Sequence, residues 1–289
     1  MSVTADAVTG DFVAARPHLF AVAYRMLGSV ADAEDVLQEA YLRWQSADRG
    51  AVSSPAAFLT TVVTRLCVDH LRSARVRRET YVGPWLPEPL LTSPGADEPV
   101  ELAESVSMAF LLLLESLSPL ERAAFLLREV FGYSYEEVAG ALDREPSAVR
   151  QLVSRARRHV AERRPRFPSD REEHDRLTRS FVEACATGDL DALVAMLHDD
   201  AVLWSDGGGK VAAARKPVVG GAKVAMFLLN VARAAASASV DVVPVNGALG
   251  VVLRVAGQPV SVVTLEVADG RITTVRNTAN PDKMAHLTT

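Results

Sequence analysis

Cysteine is nearly missing from this chain: Cys67 and Cys185 are the only two in 289 residues. They lie far apart, with no Cys or His beside them at ligand spacing, which excludes a disulfide framework and a structural zinc site. Core packing is the role left for both, and no metal or cofactor is expected. Lysine is almost as scarce: the four present, Lys210, Lys216, Lys223 and Lys283, all fall in the last third, which marks a different module there. Long apolar runs are absent too. The longest without a charge is Met108 to Leu114, far below the roughly 20 residues of a membrane helix, and the first ten residues lack the basic start of a secretory leader. A cytoplasmic protein without membrane contact is the expectation. Finally, residues 81–107 contain no Lys or Arg but five acidic residues, a local imbalance hidden by the modest net charge of −5.

What is present is a chain that folds. Apolar residues make up 49% and charged residues 23%, so disorder is excluded for most of it, and its length suits two or three domains. Residues 12–78 read as helices. Ser29 and Asp32 form a helix start, followed by Val36, Leu37, Ala40, Tyr41 and Trp44 on one face. A further helix runs from Pro55 through Arg72 with Phe58, Leu59, Val62, Leu66 and Leu71 inward. Five prolines between Tyr81 and Pro99 forbid helix or strand there and define a linker. Helical signals resume near Val100. Two Ser-x-x-Glu boxes, at Ser118 and Ser134, start successive helices, the second ending near Leu142. A four-residue turn and a basic helix from Ser147 complete a helix-turn-helix pattern.

After Pro165 and Pro168 the pattern becomes two helices (175–186 and 190–197), a strand at 201–204 and a helix at 222–235. Four β-rich runs follow, at 240–245, 249–255, 260–267 and 272–276. Asn246-Gly247, Gly257-Gln258 and Asp269-Gly270 mark the turns between them. Helices followed by an antiparallel sheet make an α+β domain.

An acidic helix face is most often a solvated surface, but here it has company. The segment 33–40 (Ala-Glu-Asp-Val-Leu-Gln-Glu-Ala), Phe58-Leu59 through Val68-Asp69-His70-Leu71-Arg72, and Tyr133 to Ala139 through Val149 and Ser154 to Arg157 occur in that order. Together they resemble the extracytoplasmic-function (ECF) family of bacterial sigma factors over residues 12–163. The resemblance implies that Asp32, Glu34, Asp35, Gln38 and Glu39 bind core RNA polymerase, where carboxylates on a rigid helix suit a basic partner helix. It implies that Arg65, Asp69, Arg72, Arg75, Arg77 and Arg78 belong to the part that recognises and opens the −10 promoter element. Phe58 and Arg65 stand where many relatives have Trp and Asn. In the helix-turn-helix, Ser147, Arg150, Gln151 and Ser154 are expected at −35 base edges, and Arg155, Arg157 and Arg158 at phosphates.

The last domain resembles the SnoaL-like (NTF2-like) cone-shaped α+β barrels, through Phe181, Gly188-Asp189-Leu190, Leu193, Leu197 and Asp200-Ala201-Val202. A subgroup of these sigma factors ends in such a domain. Its signatures stand here as Trp85, Leu86, Pro87, Glu88 and Pro89 in the linker; Asp206, Gly207, Gly208, Gly209 and Lys210; and Asn280, Pro281, Asp282 and Lys283. The expected organisation is therefore region 2 at 1–80, an acidic linker at 81–107, region 4 at 108–166 and a SnoaL-like domain at 170–289: two all-α modules followed by an α+β barrel. Trp85, Leu86 and Pro87 are expected to dock near 206–210 and 280–283, with Lys210 or Lys283 as partner for Glu88, because a tryptophan in a proline-rich frame needs a surface to cover it. Expected partners are core polymerase, promoter DNA and a small-molecule ligand of the C-terminal domain. His198, at a helix C-terminus, with Asp199 and Asp206 are the only catalytic candidates. They form no obvious pair, which favours a regulatory module in a sigma factor over an enzyme. A helix-turn-helix regulator acting without polymerase, and a cyclase fused to a DNA-binding part, are the rival readings.

Overall fold

The computed structural model describes residues 2–92, 105–163 and 170–288. The chain divides into two compact units. One comprises Met1–Glu79 with Leu113–Arg164, and the other Thr80–Leu112 with Pro165–Thr289. The proline-rich segment thus belongs to the same unit as the C-terminal domain.

The first unit is helical. Helix α1 (Ser2–Leu27) stops where Gly28 takes φ 67° and donates its N–H to the Tyr24 carbonyl at 2.7 Å, a left-handed cap that glycine adopts without strain. The next residue starts α2 (Val30–Ser46): the Ser29 hydroxyl accepts from the Asp32 N–H at 3.0 Å. Helix α3 (Pro55–Glu79) is capped by Ser54, whose hydroxyl accepts from the Ala57 N–H at 3.3 Å. Leu19 and Val22 of α1, Leu37 and Trp44 of α2, and Leu59, Val63 and Cys67 of α3 are all buried at the centre. Each large side chain so removed from water contributes about 1.5–3 kcal/mol. Cys67 is packing, as expected, and burial pushes its thiol well above the ordinary range.

After α4 (Met108–Leu114), α5 (Pro119–Phe125) begins with a reciprocal box between Ser118 and Glu121 and runs into a π turn at Leu126–Val130. Helix α6 (Tyr135–Leu142) repeats the box with Ser134 and Glu137. Asp143, at φ 55°, ends it and turns the chain into α7 (Pro146–Arg163). Val149, Leu152, Val153 and Ala156 of α7 are buried, completing a helix-turn-helix.

The second unit carries α8 (Arg171–Thr187), α9 (Leu190–Met196), β1 (Leu197–Asp206), β2 (Val218–Val219), α10 (Gly221–Ala234), β3 (Ser239–Val245), β4 (Ala248–Val255), β5 (Gln258–Ala268) and β6 (Arg271–Thr278). The six-stranded order is β2-β1-β6-β5-β4-β3, with β1 parallel to β6 and the other pairs antiparallel. This corrects the purely antiparallel expectation: β1 precedes the helical crossover and pairs with the last strand, as a parallel pair requires. The turns are Asn246-Gly247, Ala256-Gly257 and Asp269-Gly270, each with two positive φ values. The middle turn therefore sits one residue earlier than the sequence suggested, because a two-residue hairpin turn matching strand twist needs φ above zero at both positions. One face of the sheet packs Val263, Leu265 and Val275 against Leu177 and Phe181 of α8, Leu193 of α9 and Leu228 of α10. Val245, Val252 and Val262 form a second cluster with Met284 and Leu287 of the C-terminal segment. Two helical modules and an α+β sheet domain are the observed fold class.

Candidate functional site

The proline-rich segment is docked within its unit. Prolines deny it regular structure, so its backbone groups need partners outside itself, and the sheet domain supplies them. The Asn246 N–H donates to the Leu90 carbonyl at 2.8 Å, the Leu90 N–H to Asn246 Oδ1 at 3.0 Å, and the Thr92 N–H to the Pro244 carbonyl at 3.0 Å. Leu91 bridges to Val245 in antiparallel register, so the linker extends the edge of β3. The Asn246 side chain also donates to the Val106 carbonyl at 2.8 Å, and His286 Nε2 lies 2.7 Å from the Pro89 carbonyl.

The centre of the dock is a buried charge pair. Asp206 is wholly buried, and its Oδ2 lies 2.7 Å from Lys283 Nζ. The same carboxylate accepts from the Leu86 N–H at 2.8 Å, the Tyr81 hydroxyl at 2.6 Å and the Gly208 N–H at 3.0 Å. Lys283 donates to the Leu86 carbonyl as well, and its cation stands 4.4 Å from the Trp85 ring centre and 5.0 Å from that of Tyr81. Burial, and then the hydrogen bond to and charge of Asp206, hold the Tyr81 hydroxyl above its ordinary pKa, so it remains a donor. Asn280 donates to the Tyr81 oxygen at 2.9 Å and lies against Gly208, where a Cβ would overlap the Asn280 amide. Leu86, Pro87 and Glu88 are buried.

All three signatures thus meet in one place. Pro281 and Asp282 sit exposed on a 3₁₀ turn, and Lys210 pairs with Asp282 at 2.6 Å, not with Glu88. Gly207 admits no side chain, since a Cβ there would approach the Val211 carbonyl at 2.8 Å, and Gly209 packs against Val82. Reading the sequence missed Tyr81, Asn246 and His286: Asn246 looked like a turn residue only, and nothing local signals the other two.

The catalytic candidates are not brought together. His198, expected at a helix C-terminus, is the second residue of β1, because α9 ends at Met196 and Leu197 is already extended. Its Nδ1 accepts from the Asp200 N–H at 3.2 Å, whereas Asp206 is engaged in its buried pair.

In the helical unit, Asp35, Gln38 and Glu39 are exposed along α2, while Asp32 and Glu34 are half-buried. Arg16 grips the Glu34 carboxylate at 2.6 and 2.8 Å, Arg43 pairs with Glu39 at 3.0 Å, and His70 lies 3.2 Å from Asp32. A hollow of about 280 Å³ beside them is lined by Phe12, Arg16, Glu34, Asp35, Gln38 and Tyr41.

On α3, Arg65, Asp69 and Arg72 share an exposed stripe, with Asp69 and Arg72 paired at 3.1 Å. Arg75, Arg77 and Arg78 continue that helix, with side chains outside the described residues. On α7, Ser147, Arg150, Gln151, Ser154 and Arg158 form one exposed stripe at helical spacing. Arg155 and Arg157 flank it and are held by Glu121 at 2.9 Å and Glu129 at 2.8 Å. Burial alone would raise the Glu121 pKa, but hydrogen bonds from Ser118 and Arg155 bring it below the usual value.

Residues 12–77 match the model of Sigma-70 region 2 and residues 107–160 that of Sigma-70 region 4. The chain is 40% identical to the ECF RNA polymerase sigma factor SigJ of Mycobacterium tuberculosis (strain ATCC 25618 / H37Rv), across 94% of this chain and 92% of that one. It belongs to the ECF RNA polymerase sigma factors. A crystal structure of SigJ superposes on this sigma factor with a TM-score of 0.75 at 37% identity, covering 96% of this chain and 98% of the other. The probable ECF sigma factor SigI of the same species is 37% identical over 66% of this chain and 67% of its own length. The family directs RNA polymerase to promoters and initiates transcription, and this sigma factor has both of the helical regions that the task uses. Among the described residues, no helix is long and apolar enough to cross a membrane.

Proposed function

We propose that this sigma factor docks core RNA polymerase through Asp32, Glu34, Asp35, Gln38 and Glu39. In this reading it engages the −10 element through the exposed side of α3 and reads the −35 element with the α7 stripe. Its C-terminal domain regulates it in cis, without catalysis, by holding the linker that joins the two promoter-binding regions. The observation that carries the regulatory part is the Asp206 carboxylate, which takes hydrogen bonds from Tyr81 and Leu86 of the linker and from Lys283 of the C-terminal segment. A buried charge pair completed by linker atoms costs too much to leave half-made, so linker position and domain integrity are coupled. The apolar filling between sheet and helices supports regulation over catalysis, and any small-molecule ligand would act by favouring the docked or the released linker.

Run-off transcription with purified core polymerase tests this. Charge reversal at Asp35 and Glu39 should abolish co-purification with core while leaving the far-UV circular dichroism unchanged. Truncation after Pro168, Trp85→Ala and Asp206→Asn should each change promoter-dependent transcription several-fold at matched protein levels. Indifference to all three removes the regulatory reading. Undiminished core binding by the charge-reversed variant removes the polymerase assignment.

A further inference from the structure

The arginines of α7 are held in two different ways. Arg155 and Arg157 spend N–H groups on carboxylates, Arg155 from Nε to Glu121 at 2.9 Å and Arg157 from Nε and Nη2 to Glu129 at 2.8 Å. Arg150 is held by the face of a ring instead: its guanidinium carbon stands over Tyr135, 5.2 Å from the ring centre. The nearest carboxylate, Glu136, lies 3.7 Å from Arg150 Nη2, too far for a hydrogen bond. Among the described residues, no N–H of the Arg150 side chain is committed to an acceptor.

The ring is itself fixed. Tyr135 is the first residue of α6, placed by the box between Ser134 and Glu137, and is half-buried. The Arg128 guanidinium, from the π turn after α5, stands over the same ring at 4.7 Å, and its Nη1 donates to the Tyr133 carbonyl at 2.9 Å. Tyr135 thus ties the π turn and the start of α6 to the exposed stripe of α7.

We infer that Tyr135 is a positioning residue for −35 recognition: it holds the Arg150 side chain in one orientation and leaves its N–H edge free for a bidentate contact of the kind made to guanine O6 and N7. An unrestrained arginine loses rotamer freedom when it reaches a base. A ring beneath it reduces that loss, because the aromatic face attracts the cation and the guanidinium is already placed. A carboxylate also fixes a side chain, but it must be displaced before a base can take the same N–H groups. Stacking needs no such exchange, which singles out Arg150 from Arg155 and Arg157 as the base-reading arginine. This role deepens, and rests on, the reading of the −35 element by α7. Its rival is purely structural: Tyr135 packs the domain, and Arg150 reaches its base without help from the ring.

The test titrates holoenzyme, assembled from the full-length chain and core polymerase, with promoter duplexes in which each −35 base pair is changed in turn. The readout is the ratio of Kd values at each position. Arg150→Ala should abolish the preference at one position. Tyr135→Leu should lower the preference at that same position about threefold, the size of an exposed cation–π contact, and leave the other positions unchanged. Tyr135→Phe keeps the ring and should keep the preference, whatever the lost hydroxyl does to the affinity for all sequences. In the Arg150→Ala background, Tyr135→Leu should have no further effect at that position. The positioning role is wrong if Tyr135→Leu spares the position, weakens all positions alike or costs as much without Arg150 as with it, or if Tyr135→Phe loses as much as Tyr135→Leu; the α7 reading survives each of these results. If Arg150→Ala leaves every preference intact, the α7 reading fails and the positioning role falls with it.

Discussion

Asp206 and Lys283 show how much one residue's meaning depends on its surroundings. In the sequence Asp206 opens a glycine-rich turn and was a candidate acid or base; in the fold it is wholly buried beside a lysine with only 8% of its side chain exposed. Removing one member of such a pair strands the other in a low-dielectric site, at a cost of about 3–5 kcal/mol, whereas replacing both with apolar groups of similar size is often nearly neutral. Lys283→Met should therefore lower the urea midpoint of the C-terminal unit by an amount worth about 3–5 kcal/mol. The pair Lys283→Met with Asp206→Leu should recover part of that loss, short of full recovery because Tyr81 and the Leu86 N–H lose their acceptor. A loss in the double variant equal to the sum of the losses from Lys283→Met and Asp206→Leu made singly would show that no coupling exists. Arg122 presents the same physics in the helical unit, where burial lowers its pKa to about 10 while Glu115 and the Met26 carbonyl hold its protons.

At the scale of the element, the helix-turn-helix was the most legible part of the chain. Two capping boxes and an amphipathic second helix are local features; the boxes formed where the residues placed them, and the second helix starts at Pro146, one residue before the expected Ser147. What local pattern could not convey is which arginines are already occupied. Arg157 is expected at a phosphate, but Glu129 accepts from both its Nε and Nη2 at 2.8 Å, so a phosphate contact would require it to leave Glu129. Arg158 lies exposed on the stripe. Alanine at Arg158 should accordingly weaken binding to all sequences alike and reduce the salt slope by about one. Arg150→Ala or Gln151→Ala should cost roughly 1–3 kcal/mol of discrimination at particular −35 positions. Binding titrations across salt concentrations and base substitutions separate these outcomes, and uniform effects from all three would mean that α7 enters the groove differently.

Over the whole molecule, the linker ties distant parts of the chain into one unit. Residues 81–92 join partners more than 100 positions away: Tyr81 to Asp206, Leu86 to Lys283 and Leu90 to Asn246. Leu86 lies inside this dock with only 1% of its surface exposed, which allows a direct test. Chymotrypsin should cleave the Trp85–Leu86 bond slowly in the intact protein and at least tenfold faster in Lys283→Ala, while cleavage within the helical unit stays constant. Equal rates after Trp85 in both proteins would place the linker outside any lysine-dependent dock.

The sequence by itself determined the helices of both regions, the turns of the sheet to within one residue, the family, and the meeting of the linker with the segments at 206–210 and 280–283. These follow from interactions spanning a few residues, or from motifs specific enough to carry their context with them. Only the tertiary structure decided that β1 pairs in parallel with β6, that His198 lies on a strand, that Tyr81, Asn246 and His286 belong to the dock, and that Arg65 is held by α6. Each of those depends on a partner remote in sequence, and a side chain's hydrogen-bonding capacity does not identify which distant carbonyl or carboxylate the folded chain will bring to it.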